Sequence, residues 1–128
     1  MIKRPSNARF KTPVLTGVKT TTIRDKPWPV GVPIMLYHWS GAAYRSPQID
    51  VAPVVVREVR VIRITHRDDG GMLYAYGQQN ERRLHETEGF ASREDLDAWF
   101  SPLVKRGETV EKALMFFEIE KTGNGVEL

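Results

Sequence analysis

The 128-residue chain contains no cysteine, which excludes disulfide staples and thiolate metal sites. No apolar run approaches the ~18 residues of a membrane span. The N-terminus also lacks the apolar core of a signal peptide, so the expectation is a soluble cytoplasmic protein with no membrane association. Walker A, dinucleotide-binding and nucleophile-elbow signatures are all missing, and so are internal repeats and low-complexity tracts. The three histidines, His38, His66 and His85, are scattered. His85 and Glu88 have the i, i+3 spacing that can share a metal on a helix. No third ligand accompanies them, so no metal and no other cofactor is expected. Acidic residues are scarce in the first half: residues 1–67 hold 12 Lys/Arg and 3 Asp/Glu, against 7 and 13 in residues 68–128. Either the fold gathers one basic surface, suited to RNA or a phosphorylated ligand, or the halves interleave and neutralise each other.

The length suits one domain, and a chain of this size buries roughly two-thirds of its surface. Its densest chemistry is Gly17-Val18-Lys19-Thr20-Thr21-Thr22-Ile23-Arg24. Gly17 reads as the stop of a short helix over residues 9–16, and the β-branched residues after it favour a strand. Lysine and arginine around three hydroxyls suit an anionic or strongly polar ligand, arginine as a rigid donor fork and lysine as a cation whose pKa burial can lower. The same residues also suit an exposed, Thr-rich strand. In a regular strand Lys19 and Thr22 face opposite ways. They can share a site only if the chain bends or if Lys19 precedes the strand.

Residues 1–7 read as a basic, flexible arm, and residues 122–128 as a flexible tail. Strands are expected over 32–39, 54–65, 72–76 and 113–120, with a turn at Asp68-Asp69-Gly70-Gly71 and a loop over 40–53 carrying Tyr44 and Arg45. The strand over 54–65 has apolar residues on both parities, which predicts a bulge near Val61-Ile62 to return both sets to the core. Its Arg57, Arg60, Arg63 and Arg67 either track a phosphate backbone or form a solvated face. Tyr74 and Tyr76 share a face that can stack on a base or pack in the core. Asn80 can cap a helix ending at Glu88-Gly89, and Ser92 the next one, whose Leu96, Trp99, Phe100 and Leu103 mark one buried face. A glutamate in the last turn of a helix has a raised pKa, because the helix dipole disfavours its charge there.

Gly17-x-Lys19-x-x-Thr22-x-Arg24, followed by Glu88-Gly89-Phe90, Ser92-Arg93-Glu94-Asp95-Leu96 and Trp99, resembles the ASCH domain family, relatives of the PUA-like RNA-binding barrels. The resemblance runs from about Arg9 to about Lys121. It implies an α+β fold: a small PUA-like β-barrel of about five to six mostly antiparallel strands with flanking helices. One ASCH branch resembles small amidohydrolases that deacetylate 4-acetylcytidine. Carried over by motif, Lys19, Thr22 and Glu88 are the expected catalytic residues: Lys19 as base, Thr22 as nucleophile or water-orienting group, Glu88 as proton shuttle. Arg24, Gly17, Tyr44, Arg45 and Tyr74 are the expected substrate-binding residues. The long 40–53 loop departs from that branch. The implied function is a cofactor-free hydrolase acting on a modified nucleoside or RNA. The alternatives are a non-catalytic RNA-binding module or a ribonuclease using the same cleft.

Overall fold

The structure, a computed structural model, describes residues 1–76 and 83–120. Six strands form one sheet: β1 (Ile2–Pro5), β2 (Thr21–Arg24), β3 (Pro33–Trp39), β4 (Gln48–His66), β5 (Met72–Ala75) and β6 (Thr109–Ile119). Among the described residues three short α-helices accompany them: α1 (Lys11–Leu15), α2 (Leu84–Glu88) and α3 (Arg93–Phe100). The sheet runs β1-β3-β4-β6-β2, with β5 also paired to β4. This is a sheet-dominated α+β domain, mostly antiparallel, whose ladder is open at β1 and β2 among the described residues.

β4 organises the sheet. Its 19 residues pair with β3 through residues 48–55, with β6 through residues 54–65 and with β5 through residues 63–66. Two irregularities let one strand serve three partners, one opposite Leu36/Tyr37 and one between Val56 and Glu58. The expected bulge is therefore displaced, falling at Arg57 rather than at Val61-Ile62. It buries only part of the other parity: Ile62 and Ile64 are fully buried, Val55 is buried and Val59 packs against the core, while Val61 is 55% exposed.

The basic N-terminal segment is not an arm. Ile2–Pro5 pairs in parallel with Ile34–Tyr37, and Ser6 N–H continues the pairing to the Tyr37 carbonyl at 2.7 Å. The strand expected over 54–65 begins at Gln48, because Pro53 occupies a pairing position opposite Met35 instead of ending the strand. The turn at Asp68–Gly71 is present, with Arg67 N–H donating to the Gly71 carbonyl at 2.8 Å. Asn80 and the 122–128 tail lie outside the described residues.

One core fills the inner face of the sheet, combining Ile34, Val54, Ile64 and Leu114 with Val14, Leu84, Leu96 and Phe100 from the helices. Ser92 caps α3 by accepting from Asp95 N–H at 3.1 Å. Leu96 and Phe100 bury as the spacing predicts, whereas Leu103 is exposed and Trp99 is 37% exposed, lying at a rim and not in the core. Among the described residues no helix is long and apolar enough to cross a membrane.

Candidate active site

The motif enters the site through a tight turn. Thr16 N–H bonds back to the Thr12 carbonyl at 2.9 Å, and Gly17 closes α1 at φ +79°, a left-handed conformation that glycine adopts without a Cβ penalty. Lys19 N–H then donates to the Pro13 carbonyl at 2.9 Å, so Lys19 still belongs to the turn, and β2 starts only at Thr21. Strand alternation therefore does not apply between Lys19 and Thr22. Thr20 N–H ties the chain to the Thr87 carbonyl of α2 at 2.8 Å.

α2 delivers Glu88 from the other side. Gly89 stands at φ +87°, Gly89 N–H donates to the Glu86 carbonyl at 3.0 Å and Phe90 N–H to the His85 carbonyl at 2.8 Å. This double closure reverses the chain just after Glu88. A Cβ on Gly89 would lie 3.2 Å from both Lys19 Cβ and Phe10 Cδ1. The glycine thus supplies the backbone turn and also the room for Lys19.

Lys19 Nζ donates to the Thr21 carbonyl at 2.8 Å and to the Glu88 carbonyl at 2.7 Å, with Glu88 Oε1 at 3.7 Å and the Phe10 ring centroid at 4.4 Å. Both residues are only 4% exposed. Burial dominates their titration. It lowers the Lys19 pKa, with Glu88 opposing and Arg24 reinforcing the shift, and it raises the Glu88 pKa against the pull of Lys19 and Thr21. The expected rise at Glu88 is thus present, but its main cause is desolvation.

The hydroxyls divide the work differently from expectation. Thr21 Oγ1 donates to Glu88 Oε2 at 2.5 Å and also lies 3.1 Å from Thr87 Oγ1. Thr22 Oγ1 instead accepts from Arg24 Nε at 3.1 Å. The Arg24 guanidinium lies over the Trp28 ring at 4.9 Å, and burial lowers its pKa.

Lys19, Thr22, Arg24 and Glu88 line one cleft of about 370 Å³, walled by Phe10, Trp39, Phe90 and Trp99. A larger cavity of about 560 Å³ borders Lys19 on its other side, with Gly17 and Thr20, but reaches neither Thr22 nor Glu88. The chemistry therefore converges on the smaller cleft.

The remaining nominated residues scatter. Gly17 shapes the turn and faces the larger cavity. Tyr44 is 88% exposed on the 40–47 loop, its ring 5.2 Å from that of Trp39. Arg45 is exposed beside it and does not line the cleft. Tyr74 is fully buried, its hydroxyl donating to Asp97 Oδ1 at 2.7 Å, so it packs in the core and does not face a ligand. Sequence reasoning missed Thr21, Trp39, Phe10 and Phe90. Trp39 carried a signal as the last aromatic of an alternating Tyr37/Trp39 face. Thr21 carried none that separates it from Thr22.

Arg57, Arg60 and Arg63 of β4, with Arg67 just beyond its end, do not form a free basic track. Arg57 meets Glu118 at 2.8 Å, Arg63 meets Glu111 at 2.9 Å and Arg67 meets Asp69 at 2.7 Å, while Arg60 pairs with Glu58. Glu118 and Glu111 of the acidic second half thus neutralise Arg57 and Arg63 of β4, while the partner of Arg60 comes from its own strand. Among the described residues no group of three or more His, Cys, Asp or Glu side chains could hold a metal ion. The chain matches no family model, no curated protein and no solved structure.

Proposed function

We propose that this protein is an ASCH-like, cofactor-free hydrolase of a modified nucleoside, with an N-acylated cytidine such as 4-acetylcytidine as the leading candidate. The observation that carries the reading is the buried Lys19–Glu88 pair at a small cleft, because burial moves both groups toward their neutral forms. An amine and a carboxyl both drawn toward their neutral forms by burial suit the roles of base and acid side by side. The fold reading that accompanies it is a PUA-like barrel, supported by the long, twice-irregular β4 that serves three strands. A cytoplasmic location fits this reading.

The proposed reaction needs only these groups. Water attacks the acyl carbonyl carbon and gives its proton to neutral Lys19. Arg24, or the Thr22 hydroxyl that it holds, stabilises the developing oxyanion. The C–N bond breaks and the leaving nitrogen takes the proton of the Glu88 carboxyl. Lys19 then returns its extra proton to Glu88, and the product acid ionises into solvent. Thr21, bonded to Glu88 Oε2, holds the carboxyl in place.

The carboxylate partners of Arg57, Arg60, Arg63 and Arg67 weigh against the RNA-binding and ribonuclease alternatives, since a phosphate would have to displace each of them. Absorbance assays of 4-acetylcytidine hydrolysis with wild type, Lys19→Ala and Glu88→Gln test the reading. Turnover in wild type that both variants lose while keeping native circular dichroism is the expected result. A wild type inactive at high concentration sinks the assignment.

A further inference from the structure

The cleft has an aromatic wall that the acid–base chemistry does not require. Trp39 ends β3 and is one of the residues lining the cleft. Tyr37 meets it edge-on, with centroids 5.6 Å apart and planes at 86°. Tyr44 leans on it at 5.2 Å and 48°.

Tyr44 is the unusual member. It holds φ +65°, the one non-glycine positive φ among the described residues, and it is 88% exposed. Left-handed backbone costs a non-glycine residue roughly 1–2 kcal/mol, and no core burial of the ring offsets it. The loop is nevertheless well tied. Ser40 N–H donates to the Pro47 carbonyl at 2.9 Å, Gly41 N–H to Ser46 Oγ at 2.9 Å, and Ser46 Oγ to the Ala42 carbonyl at 2.8 Å. Strain kept by a rigid loop to hold an exposed ring against a cleft-lining indole suggests a role for that ring.

Size and charge narrow the ligand. A cavity of about 370 Å³ lies at the small end of the range for small-molecule sites. Arg57, Arg63 and Arg67, which lie outside the cleft lining, are paired to carboxylates. Stacking on an aromatic face recognises planar rings of any sequence context.

We infer that Trp39, braced by Tyr44, is a stacking platform for one planar heteroaromatic ring, so that the cleft takes a free nucleoside-sized ligand and not a nucleic-acid strand. The inference rests on the reading of this cleft as the substrate site, and it assigns the substrate class to particular residues.

The test uses binding, so it does not depend on turnover. The full chain is titrated with cytidine, with methyl ribofuranoside (the same sugar without the ring) and with a short oligocytidylate. Calorimetry supplies the affinities, and the Trp39 indole N–H resonance, assigned with Trp39→Phe, supplies the location. Cytidine should shift that resonance to saturation and the methyl riboside should not. Trp39→Leu should weaken cytidine binding roughly 5- to 150-fold, the range for losing one stacked base, and Trp39→Phe should restore most of it. Tyr44→Ala should weaken it several-fold, and because Tyr44 is exposed this variant carries the test if Trp39→Leu fails to fold. The platform is overturned if cytidine fails to bind wild type at millimolar concentration or binds the variants equally well. It is also overturned if the oligocytidylate binds at least tenfold tighter with a steep salt dependence. Ring binding through Trp39 without 4-acetylcytidine turnover would remove the hydrolase reading and leave the platform. Turnover that is indifferent to Trp39 and Tyr44 would do the reverse.

Discussion

Lys19 Nζ lies 2.7 Å from the backbone carbonyl of Glu88 and 3.7 Å from its carboxylate, so one amine contacts the same residue twice. The contact joins the turn before β2 to the end of α2 across 69 residues of chain. Lys19→Met removes both hydrogen bonds and leaves the Thr21 and Glu88 carbonyls without their partner inside the fold. Each buried acceptor left unsatisfied costs about 1–3 kcal/mol. Urea unfolding should register a loss of that order. A loss below about 1 kcal/mol would show the pair to be effectively solvated.

The two neighbouring threonines should separate cleanly. Thr21→Val strips Glu88 Oε2 of its hydroxyl partner inside the fold. Leaving a buried polar atom unsatisfied costs about 1–3 kcal/mol. Thr22→Val removes only the acceptor for Arg24 at the cleft wall. It should lower kcat with less effect on stability. Paired denaturation and rate measurements decide; equal stability losses in the two variants would contradict the division.

Glycines 17 and 89 both have positive φ but differ in surroundings. Gly17 has nothing within 4 Å of a built Cβ, whereas Gly89 meets Lys19 and Phe10 at 3.2 Å. Gly17→Ala should therefore cost only the backbone component, roughly 1–2 kcal/mol. Gly89→Ala should cost more and should also displace Lys19. Melting temperatures of the two variants, with the activity of each, test the difference.

The acid limb of stability follows from Glu88. Burial raises its pKa above the ordinary 4.5. Between pH 4.5 and the raised value the native state holds a proton that the unfolded chain has released. Stability then falls as pH rises through that window, and the penalty is complete above it. Wild type should accordingly gain stability relative to Glu88→Gln on acidification toward pH 4.5. Lys19 acts at the alkaline end. Its penalty is present below its lowered pKa and relieved as pH climbs toward 10.5. Urea midpoints across pH measure both slopes, and the opposite acid slope would mean that Lys19 holds Glu88 ionised.

Much of the sheet was legible in local pattern. β3, β5 and β6 announce themselves through alternation, and Gly70-Gly71 through turn chemistry. β1 did not, because Ile2-Lys3-Arg4-Pro5 has no apolar period and becomes a strand only by pairing with residues 34–37. The Arg57 bulge was misplaced because burial parity depends on which strand lies opposite, and β4 changes partners along its length. Within the site, the motif marked Lys19 and Glu88, but neither periodicity nor spacing brings them together. Thr21 was overlooked for a geometric reason: the direction of its hydroxyl is set by α2, which arrives from far along the chain.

β2 pairs residues 21–24 with residues 113–116 of β6, and Glu88 reaches Lys19 from the middle of the chain. Contacts this distant in sequence close late and slowly during folding. A ribosome-bound chain that stops short of β6 holds Lys19 beside no finished strand and leaves its charge in water. The pairing of β2 with β6 thus ties the arrangement around Lys19 to one of the last segments of the described chain to be made.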